Sequence, residues 1–366
     1  MRAGLEQLGW LLTGTPPHRI GWGPGPLTTA RRAVHRARHA LGGRPLRLAL
    51  LEHPQPGTAF GAAMAFWINR RSGKWTARLH RRLDGRLDRA ELVWVFSQDP
   101  LGPAARAWLD RRLAGLPAGV PVLNPPATHG AYHRDDAFPR LAAAGVRVPR
   151  TAFGTEDLGR TPVVYKAAGE QGSRKEREPY RGPRAGFRAF AAEDGRGADG
   201  LHRRYRAFVL GDLVLPEDVI AAPVWNACAR TLVTVERSFA LIAHERAQLL
   251  LLTRTLGLDF AAVDFLRRRS DGLPVFLDVN VYPTVAGAWP GGMPARDRGQ
   301  WHVFDNAERL GLPPPGGRPV WEQVDEALAR LAGSGPVGGY APAGAQQPAP
   351  PAAGSAKNVG ESAFTT

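Results

Sequence analysis

Two aspartates and an asparagine in the last third of the chain have the residue types and spacing to grip a divalent cation. Asp264 lies in the run Phe260-Ala261-Ala262-Val263-Asp264-Phe265-Leu266. Asp278 and Asn280 lie in Pro274-Val275-Phe276-Leu277-Asp278-Val279-Asn280. Strand alternation puts Ala262, Asp264 and Leu266 on one face of the first run, and Phe276, Asp278 and Asn280 on one face of the second. A hairpin centred on Asp271, within Ser270-Asp271-Gly272, sets Asp264 opposite Asp278, with Asn280 one pleat further along. Directly opposed side chains in a sheet lie about 4.5–5.5 Å apart at Cβ, where two carboxylates repel. On an apolar sheet the pair needs a cation or a shared proton. Hard oxygen donors of this kind suit magnesium, which keeps waters and recruits phosphate oxygens for its other positions. Strand ends turned to solvent are the alternative reading of the same pattern.

Upstream, Val163-Val164-Tyr165-Lys166-Ala167-Ala168-Gly169-Glu170-Gln171-Gly172-Ser173 reads as a strand delivering one lysine to a glycine-bearing loop. Lys166 can meet phosphate oxygens as a point charge. Gly169 and Gly172 let backbone N–H groups come close to them. In Tyr205-Arg206-Ala207-Phe208-Val209-Leu210, Arg206 shares a face with Phe208 and Leu210. Its guanidinium is either a stabiliser of developing negative charge or one half of a rim salt bridge. The basic residues Arg174, Lys175, Arg177, Arg181, Arg184 and Arg188 follow the loop, and are expected to solvate a mobile lid or to meet an acidic substrate. Neither the ten histidines nor the single cysteine, Cys228, stands in a metal-ligand or nucleophile pattern.

These residues need a scaffold. Residues 1–45 form a basic arm rich in Gly, Pro and Arg, with a short helix expected over 31–39. Strands at 46–51, 92–96 and 120–124, with helices at 60–69 and 104–114, predict a small parallel α/β domain over 46–123. The remainder predicts an α+β domain over 124–332, with a central part to about 195 and a C-terminal part from about 196. Its expected helices are 135–144, 244–256 (ended by Gly257) and 321–331. Its expected strands are 162–167, 205–210, 213–215, 260–266 and 274–279, with Gly211-Asp212 as a tight hairpin turn. The tail 333–366 is rich in Gly, Pro, Ala and Ser and predicts disorder.

The chain has 366 residues, 43% hydrophobic and 22% charged, a globular composition long enough for two or three domains. One cysteine excludes an intramolecular disulfide and a cysteine-based zinc cluster. No apolar run approaches the roughly 18 residues of a membrane span, and no secretory signal is read, so a cytoplasmic protein is expected. The net charge is +15, nearly all of it arginine. Such a field attracts polyanions, although GC-rich codon usage also enriches arginine.

The two segments Leu256-Gly257-Leu258-Asp259-Phe260-Ala261-Ala262-Val263-Asp264 and Phe276-Leu277-Asp278-Val279-Asn280 resemble the metal-binding end of the ATP-grasp family, especially glutathione synthetases and ribosomal-protein glutamate ligases. The resemblance covers roughly residues 120–290. It implies an α/β domain followed by two α+β subdomains that sandwich ATP. It also implies an ATP-dependent carboxylate–amine ligase working through an acyl phosphate, with ATP and magnesium (or manganese). Its substrates would be a small-molecule or peptide carboxylate and an amine. It assigns magnesium to Asp264, Asp278 and Asn280, nucleotide phosphates to Lys166 and the Gly169–Gly172 loop, and the active-site arginine to Arg206. The adenine hinge falls near residues 188–193. This chain departs from the family in two places. Asp278 stands where glutamate is usual, and Asp135-Asp136 where an Asp-Lys pair often delivers a phosphate-binding lysine. Those departures keep open a nucleotide-binding protein without ligase activity. The basic arm keeps open a nucleic-acid-binding protein, although nucleic acid is not the expected partner.

Overall fold

Apolar runs without alternation are what strands covered on both faces require, and two of them open the first sheet. The computed structural model describes residues 44–54, 60–81, 87–167, 174–227, 234–236, 239–283 and 317–333. Strands β1 (Leu46–Leu51), β2 (Trp75–His80), β3 (Leu92–Val95) and β4 (Val122–Leu123) form a sheet of order β2-β1-β3-β4, with every pairing parallel. Helices α1 (Phe60–Arg71) and α2 (Pro103–Ala114) make the crossovers. Ala49, Leu51, Val93 and Val95 point toward Trp108, Leu109 and Leu113 of α2. Leu48, Leu50 and Trp94 point the other way, toward Trp67 and Ile68 of α1. The edge strand β2 escaped the sequence reading, because its Arg78 is exposed and its apolar residues are few.

The largest sheet is antiparallel, of order β10-β9-β8-β11-β12. Its strands are β8 (His202–Leu210), β9 (Leu213–Ala222), β10 (Thr234–Glu236), β11 (Phe260–Arg267) and β12 (Pro274–Asn280). Gly211, at φ +60°, makes the turn between β8 and β9. One face carries Tyr205, Ala207, Val209, Ala261, Val263 and Phe265, packed under helices α3 (Ala137–Ala143) and α4 (Ala243–Leu256). Helix α4 ends on Gly257 at φ +71°, a left-handed cap. The other face is divided. Phe208, Leu210, Phe260 and Ala262 join the core of the parallel sheet and of the last helix, α5 (Val320–Gly333). The charged positions Arg204, Arg206, Asp264 and Asp278 lie at the opposite end of that face.

A third sheet, of order β6-β5-β7, comprises β5 (Pro162–Ala167), β6 (Lys175–Pro179) and β7 (Phe187–Ala191). Part of the basic run expected to solvate a lid or to meet an acidic substrate thus lies on β6 and β7. Lys175 and Arg177 belong to a strand whose residues alternate basic and acidic. Glu176 pairs with Arg184 at 2.5 Å, and Glu178 with Arg181 at 3.2 Å. Arg188 lies on β7 and reaches Asp135 at 2.5 Å. The expected helix at 31–39, Cys228, the Gly169 and Gly172 loop and the tail beyond residue 333 fall outside the described residues.

Candidate active site

Four charged positions lie in one row across the large sheet. Asp218 of β9 pairs with Arg206 of β8, Arg206 with Asp264 of β11, and Asp264 with Asp278 of β12. Regular alternation alone would not build this row. The β8–β9 register shifts between Arg206 and Ala207, which pair with Asp218 and Pro216, so Glu217 is an extra residue on β9. The β11–β12 register shifts between Asp264 and Phe265, which pair with Asp278 and Phe276, so Leu277 is extra on β12. A bulge of this kind changes which face the following residues take.

The second bulge corrects one detail of the expected hairpin. Asp264 does oppose Asp278, and Ala262 opposes Asn280. Phe276, however, does not share their face. It packs with Phe265, ring centroids 5.6 Å apart, in the core beneath α4. The bulge at Leu277 separates the apolar half of β12 from the half that carries Asp278 and Asn280. The Tyr132 hydroxyl donates to the Leu277 carbonyl and so pins the bulge. Burial, then Asp278 and Asp264, push the Tyr132 hydroxyl pKa well up, so it stays a donor.

Asp264 is 5% exposed and is gripped by two arginines. Arg206 donates from Nε at 2.6 Å and from Nη2 at 2.9 Å, a bidentate pair, and Arg204 donates from Nη1 at 3.2 Å. Burial would raise the Asp264 pKa, but Arg204 and Arg206 outweigh it and bring it down to about 2. Arg204 also lies 3.6 Å from Asp218, and Arg206 lies 3.8 Å from Glu217. Glu217 is buried beside Asp218, with Arg204 and Arg206 also facing it. Burial and then Asp218 push its carboxyl up to about 8.

Lys166 arrives from the three-stranded sheet. Its Nζ is 3.0 Å from Asp278 Oδ1 and 5.4 Å from the centre of the Tyr132 ring. With Tyr132, Phe138, Arg188 and Phe190 it lines a cleft between the three-stranded sheet and the segment that leads into α3. The structure therefore brings together Lys166, Arg206, Asp264 and Asp278, with Asn280 one residue pair beyond on the same face. Sequence reasoning missed Arg204, Glu217, Asp218 and Tyr132. Pro216 was the available signal for two of them, since proline inside a strand marks an edge or a bulge. Arg204 was also within reach, two residues before Arg206 on the same strand face.

The donor chemistry here fits magnesium. Asp264 and Asp278 offer oxygens from facing positions, and Asn280 adds an amide on the same face. Among the described residues no group of three His, Cys, Asp or Glu side chains could hold a metal ion. Two carboxylates and an amide leave several positions to water and substrate phosphate, which is how magnesium is usually held.

No protein-family model matches the sequence, and no curated protein matches it. Solved structures similar to this chain include the ATP-grasp ligase PsnB with minimal precursor, Mg and ADP, at 13% identity and TM-score 0.47, covering 78% of this chain and 97% of that one. A Chryseobacterium gregarium RiPP-associated ATP-grasp ligase, with ADP and a leader and core peptide, is 10% identical at TM-score 0.46, covering 79% and 97%. The D-alanine–D-alanine ligase of Bacillus anthracis, complexed with ATP, is 11% identical at TM-score 0.46, covering 79% and 97%. These neighbours are ATP-grasp ligases, the family that the sequence resembles; at TM-scores below 0.5 the reading of the site rests on its own geometry.

Proposed function

We propose that the chain is an ATP-dependent carboxylate–amine ligase of the ATP-grasp kind, acting through an acyl phosphate with magnesium. The observation that carries this reading is the meeting of Lys166 with Asp278 across two separate sheets, beside the row Arg206, Asp264, Asp278. Three cations, Lys166, Arg204 and Arg206, neutralise these carboxylates here. A triphosphate brings oxygens that can take those cations over, while Asp264, Asp278 and Asn280 would hold magnesium. When bound, the ion supplies charge neutralisation on the phosphate chain.

Lys166 then holds phosphate oxygens, helped by the Gly169–Gly172 loop. A substrate carboxylate attacks the γ-phosphorus, ADP leaves, and an acyl phosphate results. Arg206 steadies the charge on the transferring group, since its position among buried carboxylates fixes it without further reorganisation. An amine then displaces phosphate to form the carbon–nitrogen bond. Asp136 stands where a family lysine is often found; Arg188 of β7 is bound at 2.5 Å to its neighbour Asp135, so a cation lies beside that place.

The test is ADP release by purified protein with ATP, magnesium and a panel of amino acids and short peptides. Wild type should release ADP with at least one carboxylate, and Asp264→Asn should reduce that rate by about 100-fold or more. Tight ATP binding with no turnover across the panel would contradict a ligase.

A further inference from the structure

The β9 bulge delivers a second carboxylate pair that the reaction so far does not use. Asp218 is 2% exposed and Glu217 8% exposed, both on the side of Arg206 away from Asp264. Glu217 Oε2 is 3.8 Å from Arg206 Nε, whereas Asp264 Oδ1 is 2.6 Å from the same atom. That Glu217 oxygen is buried and accepts no hydrogen bond from any described residue. A buried carboxylate oxygen without a donor costs free energy that a ligand donor would recover. Across the guanidinium from the metal-ligating carboxylates, it faces the group proposed to steady the acyl phosphate.

We propose that Glu217 is the catalytic base of the second half-reaction, binding the amine co-substrate as an ammonium ion and taking a proton from it. This rests on the ligase reading above. The ammonium donates to Glu217 Oε2, with Asp218 adding attraction for the cation. The proton passes to Glu217, and the freed nitrogen lone pair forms the bond to the acyl carbon. The bond from that carbon to the phosphate oxygen breaks, and phosphate leaves with its electron pair. The second nitrogen proton leaves with the phosphate. The charged groups facing Glu217 are Asp218 on its own strand, Arg204 and Arg206 on β8, and Asp264 on β11. Burial and Asp218 keep a proton on Glu217 in the empty site. An ammonium ion arriving beside it favours the carboxylate, so that proton is released to solvent as the amine binds, and Glu217 is then free to take one from the ammonium.

The substrate class follows. The amine must reach the site as a small, protonated group, because the acidic pair is enclosed, Asp218 at 2% and Glu217 at 8% exposure.

The experiment separates the two half-reactions in Glu217→Gln. Hydroxylamine is largely neutral at pH 7 and needs no base, so it traps acyl phosphate as a hydroxamate. Wild type and Glu217→Gln are incubated with ATP, magnesium and each carboxylate of the panel, with either hydroxylamine or the twenty amino acids as amine. Hydroxamate from the variant should stay within about twofold of wild type, while ligation to amino acids should fall at least tenfold. Binding of a non-hydrolysable ATP analogue by the variant, followed calorimetrically, should match wild type and establish that it is folded. Equal ligation by variant and wild type overturns the proposal. Parallel loss of hydroxamate and ligation also overturns it, because Glu217 would then serve the first half-reaction or the fold. A wild type that makes neither product with any carboxylate overturns the ligase reading itself, which is a different failure.

Discussion

Glu217 and Asp264 show how one buried row can hold carboxylates at opposite ends of the titration scale. Asp264 is hydrogen-bonded by two arginines within 3.2 Å and sits at about 2, whereas Glu217, 3.8 Å from Arg206 and beside Asp218, sits at about 8. The difference has a consequence for stability. A carboxyl whose folded pKa exceeds its unfolded value, near 4.5, keeps a proton that the unfolded chain has released. Its contribution is therefore fully present below pH 4.5 and is lost as pH rises toward 8. Glu217→Gln, which cannot titrate, removes that loss. Thermal melts at pH 5 and pH 8 should show the variant gaining on wild type at pH 8, with no gain at pH 5. An equal offset at both pH values would mean that Glu217 is not protonated in the fold.

The elements bring these residues together by devices that sequence reading catches unevenly. The β11–β12 hairpin was legible, because alternation and a Ser-Asp-Gly turn fix which residues face each other. Its bulge at Leu277 was not, since a two-residue period cannot report an inserted residue. The β9 bulge left one trace, Pro216, and the row Asp218-Arg206-Asp264-Asp278 needs strand order, which no local pattern contains. Strand β6 within the basic stretch after Lys166 was not legible because its charge hid it; the alternation of Lys175, Glu176, Arg177 and Glu178 was its local trace. Asn124 shows the same limit. It was read as a strand end, but it sits at φ +47° and is wholly buried. Its side chain donates to the Phe260 carbonyl at 2.7 Å and accepts from the Asp259 and Phe260 amides at 2.9 and 3.1 Å. It thereby fixes where β11 begins, four residues before Asp264. Asn124→Ala forfeits three hydrogen bonds and a residue type that tolerates the left-handed region, and should cost about 3 kcal/mol. Chemical denaturation measures it, and a change under 1 kcal/mol would show that the start of β11 is held by other contacts.

Across the whole molecule, the parallel sheet and the large antiparallel sheet share one core, with Trp94 and Phe260 rings 4.7 Å apart at the join. The last helix closes it. Asp325 of α5 accepts from Ser72 Oγ at 2.6 Å, the Gly73 amide at 2.7 Å and the Lys74 amide at 3.2 Å, so α5 is tied to the turn before β2. Asp325→Ala leaves those donors buried or half-buried without their acceptor and should destabilise by about 3 kcal/mol, read as a lower Tm. An unchanged Tm would mean that the apolar contacts of Val324 and Leu328 suffice. At the other end of the join, the Tyr282 hydroxyl, two residues past Asn280, donates to Glu52 at the carboxyl end of β1. The proposed metal-binding strand is thus anchored to the parallel sheet just beyond its last ligand. A rigid anchor of that kind matters if the strand must present Asp278 and Asn280 to an ion.

That presentation is the central claim, and nucleotide binding with and without magnesium tests it most directly. Calorimetric titration of a non-hydrolysable ATP analogue should show wild type binding about tenfold or more tighter with magnesium than in its absence. In Asp278→Asn that magnesium dependence should largely vanish. Nucleotide affinity in wild type that is indifferent to magnesium, or a dependence that survives unchanged in Asp278→Asn, would contradict the account.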